Sequence, residues 1–331
     1  MVRLRRVNSA MPGWRRLRRG RGFSYLDDTG EPLAELDVVR VKDLVIPPAW
    51  SDVWICPLPN GHLQAVGTDV AGRRQYLYHP DWRVKRDLEK YEHMEQFARA
   101  LIRHRTTVRR DLGGDSLDRT RVCAAVFGLL DLGMFRVGSD RYADENGSHG
   151  LTTLERSHVT AVPRGIDFDY PAKSGQIVQV TVRDQRVVEV LAALKRRRSG
   201  GDRLIAFKEG GRWRGLGAED VNEYVKDSLG GDFTAKNFRT WRANVVAARS
   251  LAVAEAVTPT ARKRVIAATM REVSEHLGNT PAIARSSYVD PRVVDLFGDG
   301  IVVGGTHRRV APGAPVSRTL ERAVLRLLKR G

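Results

Sequence analysis

Cysteine is nearly absent: 331 residues include two, Cys56 and Cys123, both in hydrophobic surroundings. That excludes a disulfide scaffold and reads as buried free thiols of a reducing compartment. The eight histidines never cluster at metal-ligand spacing, which argues against a zinc centre. No apolar run reaches transmembrane length. The Arg-rich N-terminus lacks the apolar core of a signal peptide, so the expectation is no membrane partner and a cytoplasmic, nucleoid-associated location. The glycine-rich stretch GGRWRGLG lacks the Lys-Ser/Thr of a P-loop. These absences lead to the expectation of an activity that uses no nucleotide, no metal and no other cofactor. Acid is missing locally too. Residues 1–20 hold Arg3, Arg5, Arg6, Arg15, Arg16, Arg18 and Arg19 with no Asp or Glu, and read as a solvated basic arm or one that tracks DNA.

What is abundant is positive charge: 56 Lys plus Arg against 39 Asp plus Glu, a net +17. Such an excess points to a polyanion, nucleic acid first and an acidic membrane surface second. The length suits two domains. Residues 21–80 break into short alternating segments punctuated by Gly, Pro and Asp, the signature of strands. Asn60-Gly61 marks a hairpin turn. After Trp82 the apolar spacing changes to three and four, predicting a helix over RDLEKYEHMEQFARALIRHRTTVRRDL and a more buried one over SLDRTRVCAAVFGLLDLGMF, with Ser116 as its N-cap. The domain boundary therefore falls near residues 82–92. GIDFDYPAKSGQIVQVTV predicts a hairpin turning at AKSG. Helices are expected over about 184–197, 218–228, 234–256, 259–277 and 316–330. The fold class is α+β: a small β-rich N-terminal domain, then a mostly helical domain interrupted by a β-hairpin.

One tyrosine stands apart. In TPAIARSSYVDPRVVDLFG, Tyr288 lies among small and polar residues before a Pro-marked break, whereas a structural tyrosine more often sits in an apolar stripe. A tyrosine nucleophile needs nearby cations, because a free phenol titrates near pH 10. Attack on a phosphodiester also needs fixed donors for the non-bridging oxygens and an acid for the leaving oxygen. Four residues offer those groups, each with a bland alternative. Arg136 ends a buried helix beside glycines 138, 147 and 150, and pairing with Asp140 or Glu145 is the other reading. Arg239 flanks an apolar helical stripe and alone reads as a solvated charge. Lys173 sits at the hairpin tip and alone reads as a solvated turn lysine. Asn279 follows Gly278 and alone reads as part of a helix C-cap.

Together these segments resemble the type IB DNA topoisomerases, in particular their compact bacterial and poxvirus-like branch, over roughly residues 15–300. IPPAWSDVWICP and GRRQYLYHPDW resemble that family's N-terminal β domain. RVGSDRYADENGSHGLTTL, AKSG, KNFRTWRA and LGNTPAIARSSY follow in the family's order. The resemblance implies the catalytic set Arg136, Lys173, Arg239, Asn279 and Tyr288. It also implies three segments: a basic arm over 1–20, a β-rich DNA-binding domain over 21–88 and an α-helical catalytic domain over 89–331, whose hairpin carries the catalytic lysine. Asn279 departs from many relatives, including the tyrosine recombinases, which have histidine there. Asparagine donates a hydrogen bond but carries no charge. The activity implied is relaxation of supercoiled duplex DNA through a 3′-phosphotyrosyl intermediate by a monomer that clamps the duplex. Gln64, Arg73, Arg74, Gln75, Tyr76, Tyr78 and Lys236 are the expected DNA contacts. Two rival readings remain. One is a tyrosine recombinase, against which stand the strand-rich N-terminus and Lys236 where recombinases carry histidine. The other is a non-catalytic DNA-binding protein. Relaxation of a plasmid that lacks any specific site separates them.

Overall fold

The computed structural model describes residues 3–254, 256, 258–305, 310–311 and 314–330. Met1, Val2 and Gly331 of the expected segments lie outside the described residues. The chain divides into two compact units, Met1–Glu92 and His93–Gly331.

The first unit is a five-stranded antiparallel sheet of order β2-β1-β3-β4-β5. Its strands are β1 (Trp14–Arg19), β2 (Gly22–Leu26), β3 (Ser51–Ile55), β4 (Leu63–Thr68) and β5 (Arg74–Tyr78), with helix α1 (Glu35–Asp43) between β2 and β3. Trp14, Val53, Ile55 and Ala65 come from three strands and bury against Val41 of α1 and Ile46. Period-two alternation sends Ala65 into this core and Val66 into a second one, with Val7, Cys56 and Leu63. The Asn60-Gly61 pair does lie in the connection between β3 and β4, but that connection runs over residues 56–62 and neither residue takes the positive φ of a two-residue Asn-Gly turn.

Two expectations are corrected here. Trp14–Arg19, assigned to a basic arm, is strand β1 and pairs with both β2 and β3. Its charge density hid the alternation, because Arg16 points inward. The Arg16 guanidinium donates to the carbonyls of Ile46 (3.1 Å), Pro47 (3.0 Å) and Trp50 (2.6 Å) and lies over the Phe23 ring. Its aliphatic stem packs like an apolar residue. Gln64, expected at base edges, is 3% exposed. Its amide donates to the carbonyls of Leu58, Pro59 and Gly61, and its oxygen accepts from Arg40. It braces the hairpin turn and has no face left for DNA.

The second unit begins within the long helix α2 (Pro80–Asp111) and continues with α3 (Arg119–Asp131) and α4 (Asp140–Asn146). The three-stranded sheet β6 (Val159–Val162), β7 (Gly165–Pro171), β8 (Ile177–Val182) follows, with Lys173–Gly175 as a 3-10 turn at its tip. Then come α5 (Gln185–Arg196), the hairpin β9 (Ala206–Glu209) and β10 (Arg212–Gly215), α6 (Ala218–Leu229), α7 (Ala235–Ala252), α8 (Pro259–Leu277), α9 (Pro281–Ile283), α10 (Pro291–Gly298) and α11 (Arg318–Leu328). The expected helix over 234–256 therefore stops at Ala252, short of its predicted end. Asp118, not Ser116, caps α3: its carboxylate accepts from the Arg121 N–H, and the Ser116 hydroxyl donates to it instead. No helix among the described residues is long and apolar enough to cross a membrane. The architecture is α+β.

Helix α7 is the axis of this unit. Phe238 meets Phe97 of α2 and Phe127 of α3 edge to face, with ring centroids 4.8 and 4.9 Å apart. Trp241 Nε1 donates to Glu321 of α11, whose carboxylate also receives Arg105 of α2. Asp131 of α3 completes that cluster by accepting two bonds from Arg105.

Replacing Gln64 by Ala strips the hairpin carbonyls and Arg40 of a buried partner, which costs about 1–3 kcal/mol. Urea unfolding should show a midpoint lowered to match, with DNA affinity per folded molecule unchanged. Unaltered stability with weakened DNA binding would restore Gln64 to the interface.

Candidate active site

Arg239 leaves α7 one turn after its start and is 4% exposed. A guanidinium so buried needs partners. Its Nη1 donates to the Met134 carbonyl (2.6 Å), just past α3, and its Nη2 to the Leu277 carbonyl (2.5 Å) in the last turn of α8. No carboxylate pairs with it among the described residues, and its Cζ lies 5.6 Å from the centre of the Tyr288 ring. Burial, then the neighbouring Arg136, lowers its pKa to about 10. The solvated-charge alternative does not hold for this residue.

Arg136 is placed by the loop after α3. Gly150 approaches Gly138 so closely that a Cβ on Gly150 would lie 2.5 Å from the Gly138 nitrogen and 2.8 Å from the Arg136 carbonyl, so only glycine closes this loop. Arg136 Nη2 donates to the Gly278 carbonyl at 2.7 Å. The alternative partner Asp140 is taken by Arg203. Gly278 caps α8 in the left-handed conformation, with φ 55°. A side chain there would meet Gln176 Oε1 at 2.9 Å and approach Arg136 Nη1 at 3.8 Å. Gln176, at the base of the hairpin turn that carries Lys173, thus lies beside the Gly278 cap. Lys173 itself is exposed on the 3-10 turn.

Asn279 follows Gly278. Its side-chain oxygen and nitrogen are both buried, and neither has a hydrogen-bond partner. Buried amides are rarely left unbonded, and one that is calls for an explanation such as a ligand.

Tyr288 closes a π-helical turn, Ala284–Tyr288, in which the Val289 N–H bonds the Ala284 carbonyl at 3.0 Å. Such turns insert a residue and re-aim a side chain, and they recur at functional sites. Asn244 of α7 fixes this segment. Its Nδ2 donates to the Tyr288 carbonyl (2.9 Å) and its Oδ1 accepts from the Asp290 N–H (2.8 Å). Burial pushes the Tyr288 phenol up, but the charge and hydrogen bonding of Arg239 pull it down, helped by Arg136 and Lys236. The net result lies below the ordinary phenol value. The arrangement favours a phenolate beside two guanidinium groups, which is the environment that activates an oxygen nucleophile.

Three residues of this site were not singled out from the sequence. Tyr170 of β7 is 2% exposed and lies near Arg136 and Arg239; burial raises its pKa. It followed the inward alternation of Ile166 and Phe168 and so looked like core. Gln176 and Asn244 gave no local signal beyond a polar residue beside a turn and one within a buried helix. His276, by contrast, is buried on α8, consistent with a structural role.

The expected DNA contacts divide. Lys236 is exposed one turn before Arg239. In the first unit, Tyr76 is 49% exposed and stacks on Tyr78, with centroids 6.2 Å apart. Cross-strand pairs Arg15↔Trp54, Trp54↔Val66 and Val66↔Tyr76 place Arg15, Trp54 and Tyr76 on one face. Trp54 also donates its indole N–H to the Met11 carbonyl. Arg73 and Gln75 both bond the Asp69 carboxylate, and Arg74 bonds Ser9.

Residues 79–295 match the family described as eukaryotic DNA topoisomerase I, catalytic core. That segment holds every group of the candidate site. The chain belongs to the type IB DNA topoisomerases. Residues 22–69 match the N-terminal domain of bacterial DNA topoisomerase IB. DNA topoisomerase 1B of Acanthamoeba polyphaga mimivirus is 30% identical over 282 residues, 82% of this chain and 83% of that protein. DNA topoisomerase I of monkeypox virus and DNA topoisomerase 1B of vaccinia virus (strain Copenhagen) are each 24% identical over 238 residues, 71% of this chain and 72% of theirs. As a type IB topoisomerase the protein is an isomerase that acts on DNA.

Because Arg239 is the first group that lowers the Tyr288 pKa, Arg239→Gln should move it upward and leave less phenolate near neutral pH. The check is the ultraviolet titration difference between Arg239→Gln and the same protein with Tyr288→Phe, set against the wild-type pair. A phenol that titrates unchanged or lower would contradict the geometry.

Proposed function

We propose that this type IB topoisomerase relaxes supercoiled duplex DNA by opening and resealing one strand at Tyr288, as a monomer and without ATP or metal. The observation that carries the reading is Arg239: a buried cation with carbonyl partners, no carboxylate partner among the described residues, and the Tyr288 ring against it. The Tyr288 oxygen attacks a backbone phosphorus, the bond from phosphorus to the 5′-oxygen breaks, and a 3′-phosphotyrosyl ester forms. Arg136, Arg239 and the unbonded Asn279 amide meet the charge that develops on the non-bridging oxygens. Lys173 donates the proton that the departing 5′-oxygen requires. The freed strand end swivels, and its hydroxyl attacks the phosphotyrosine in the reverse reaction. The ester conserves the energy of the broken bond, so no nucleotide is consumed. Lys236 and, from the first unit, Arg15, Trp54, Arg73, Arg74, Gln75, Tyr76 and Tyr78 supply phosphate and stacking contacts.

The experiment is relaxation of a supercoiled plasmid in EDTA without ATP, with denatured samples checked for a protein–DNA adduct. Wild type should relax the plasmid and form the adduct, and Tyr288→Phe should bind DNA but do neither. Relaxation by the Phe variant would remove Tyr288 from the mechanism.

The role of Lys173 is tested separately. An alkoxide leaves as a strong base, whereas a thiolate has a parent pKa near 8.5 and needs no acid. Lys173→Ala should cleave ordinary DNA roughly 10²–10⁴-fold slower and recover most of its rate when sulfur replaces the scissile bridging oxygen. Arg239→Ala should not recover. Equal rescue of both, or of neither, would make Lys173 a phosphate clamp.

A further inference from the structure

Arg292 stands four residues beyond Tyr288 and touches none of the groups proposed to react, yet its guanidinium is engaged on three sides. Nε and Nη2 donate to the Asp290 carboxylate (3.2, 3.1 and 2.7 Å), Nη2 also reaches Glu95 of α2 (3.0 Å), and Nη1 reaches the Leu328 carbonyl at the end of α11 (3.1 Å). Asp290 is 1% exposed. To cap α10 it needs only the Arg292 N–H, which it also accepts (2.9 Å). The bonds to Glu95 and Leu328 add nothing to that cap and instead tie the segment to two other helices.

The ties run on to Tyr288. The Asp290 N–H is held by Asn244 Oδ1, and Asn244 Nδ2 holds the Tyr288 carbonyl. Asn244 is fully buried on α7, five residues after Arg239. An unbroken line of hydrogen bonds therefore joins the peptide of Tyr288 to the last turn of α11. That helix lies beyond residue 295, where the match to the catalytic core ends.

We propose that Arg292 is a positioning residue: by anchoring the Tyr288–Asp290 backbone to α2 and to α11, it sets the separation of the phenol from Arg239. The proposal rests on the reading of Tyr288 as the nucleophile. Helix α11 thereby belongs to the catalytic apparatus although it supplies no reacting group. The charged and titratable groups that face the phenol are Arg239 and Lys236 from α7 and Arg136 from the loop after α3, with Tyr170 of β7 beside the two arginines. All three cations favour the phenolate. A segment released from Arg292 lets the phenol drift from Arg239, so the phenolate forms only at higher pH. The acid limb of the cleavage rate then moves upward in pH.

The experiment is single-turnover cleavage of a duplex across a pH series by Arg292→Met and Glu95→Gln, with DNA affinity, unfolding midpoint and the Tyr288→Phe protein measured alongside. Arg292→Met should cleave roughly tenfold to a hundredfold more slowly near neutral pH, the scale expected for a small misplacement of a reacting group. Its rate should still be rising where that of wild type has levelled, and its affinity should be unchanged. Glu95→Gln keeps an acceptor for Arg292 but loses the charge. It should move the limb the same way by less, and it keeps the test open if Arg292→Met does not fold. A loss by one factor at every pH with an unmoved limb would mark a structural role and overturn the proposal, as would wild-type cleavage in both variants. Absence of the adduct in Tyr288→Phe together with an unmoved limb overturns the Arg292 role alone. An adduct in Tyr288→Phe removes the nucleophile reading, and this proposal with it.

Discussion

Everything about this site depends on how two arginines are held without being neutralised. Arg239 and Arg136 are both gripped at the C-terminal end of α8, through the carbonyls of Leu277 and Gly278. A helix C-terminus carries partial negative charge and unsatisfied carbonyl oxygens, so it fixes a guanidinium firmly while cancelling little of its charge. A carboxylate in the same place would stabilise the arginine better and spoil it as an anion receptor. The carbonyl grip leaves a concentrated positive field at Tyr288. Gly278 suits that position because its φ is 55° and a side chain there would intrude on Gln176.

Helix α7 translates that local arrangement into the rest of the second unit. Arg239 lies near the Tyr288 ring, and Asn244, five residues on, binds the Tyr288 carbonyl and the Asp290 N–H. Trp241 hydrogen-bonds Glu321, and Arg242, 2% exposed, donates to the carbonyls of Ala311 and Ala314. Successive residues advance by about 100° around the helix, so Arg239 and Trp241 face nearly opposite ways. The same few turns therefore serve the site and the C-terminal segment at once.

The fold was legible in the sequence where periodicity was clean. The alternation of residues 21–80 and the threes and fours after Trp82 placed the two units, and the AKSG turn placed the hairpin. It was least legible where charge disguised burial. Arg16 and Gln64 are polar by type, yet each satisfies three carbonyls inside the first unit, so an arm and a base contact were read where the structure has a strand and a turn brace. Tyr288 stood out as a tyrosine outside any apolar stripe, whereas Arg239, Lys173 and Asn279 each had a bland reading and joined the candidate set only through the resemblance. Asn244, Gln176 and Tyr170 were not visible, because they act across the fold. A lone polar residue in a buried helix, or a tyrosine on the inward beat of a strand, carries no mark of its distant partner.

That distance has a consequence for the cell. The bond from Arg136 to Gly278 closes 142 residues of chain, and the bonds from Arg239 to Met134 and Leu277 close 105 and 38. Contacts of such separation form late, once the loop entropy has been met by the surrounding core. No short piece of the polypeptide holds Tyr288 beside both Arg239 and Arg136. A chain still leaving the ribosome, or a copy that has partly unravelled, thus holds every residue of the candidate site without their arrangement, and the site exists only in the completed fold.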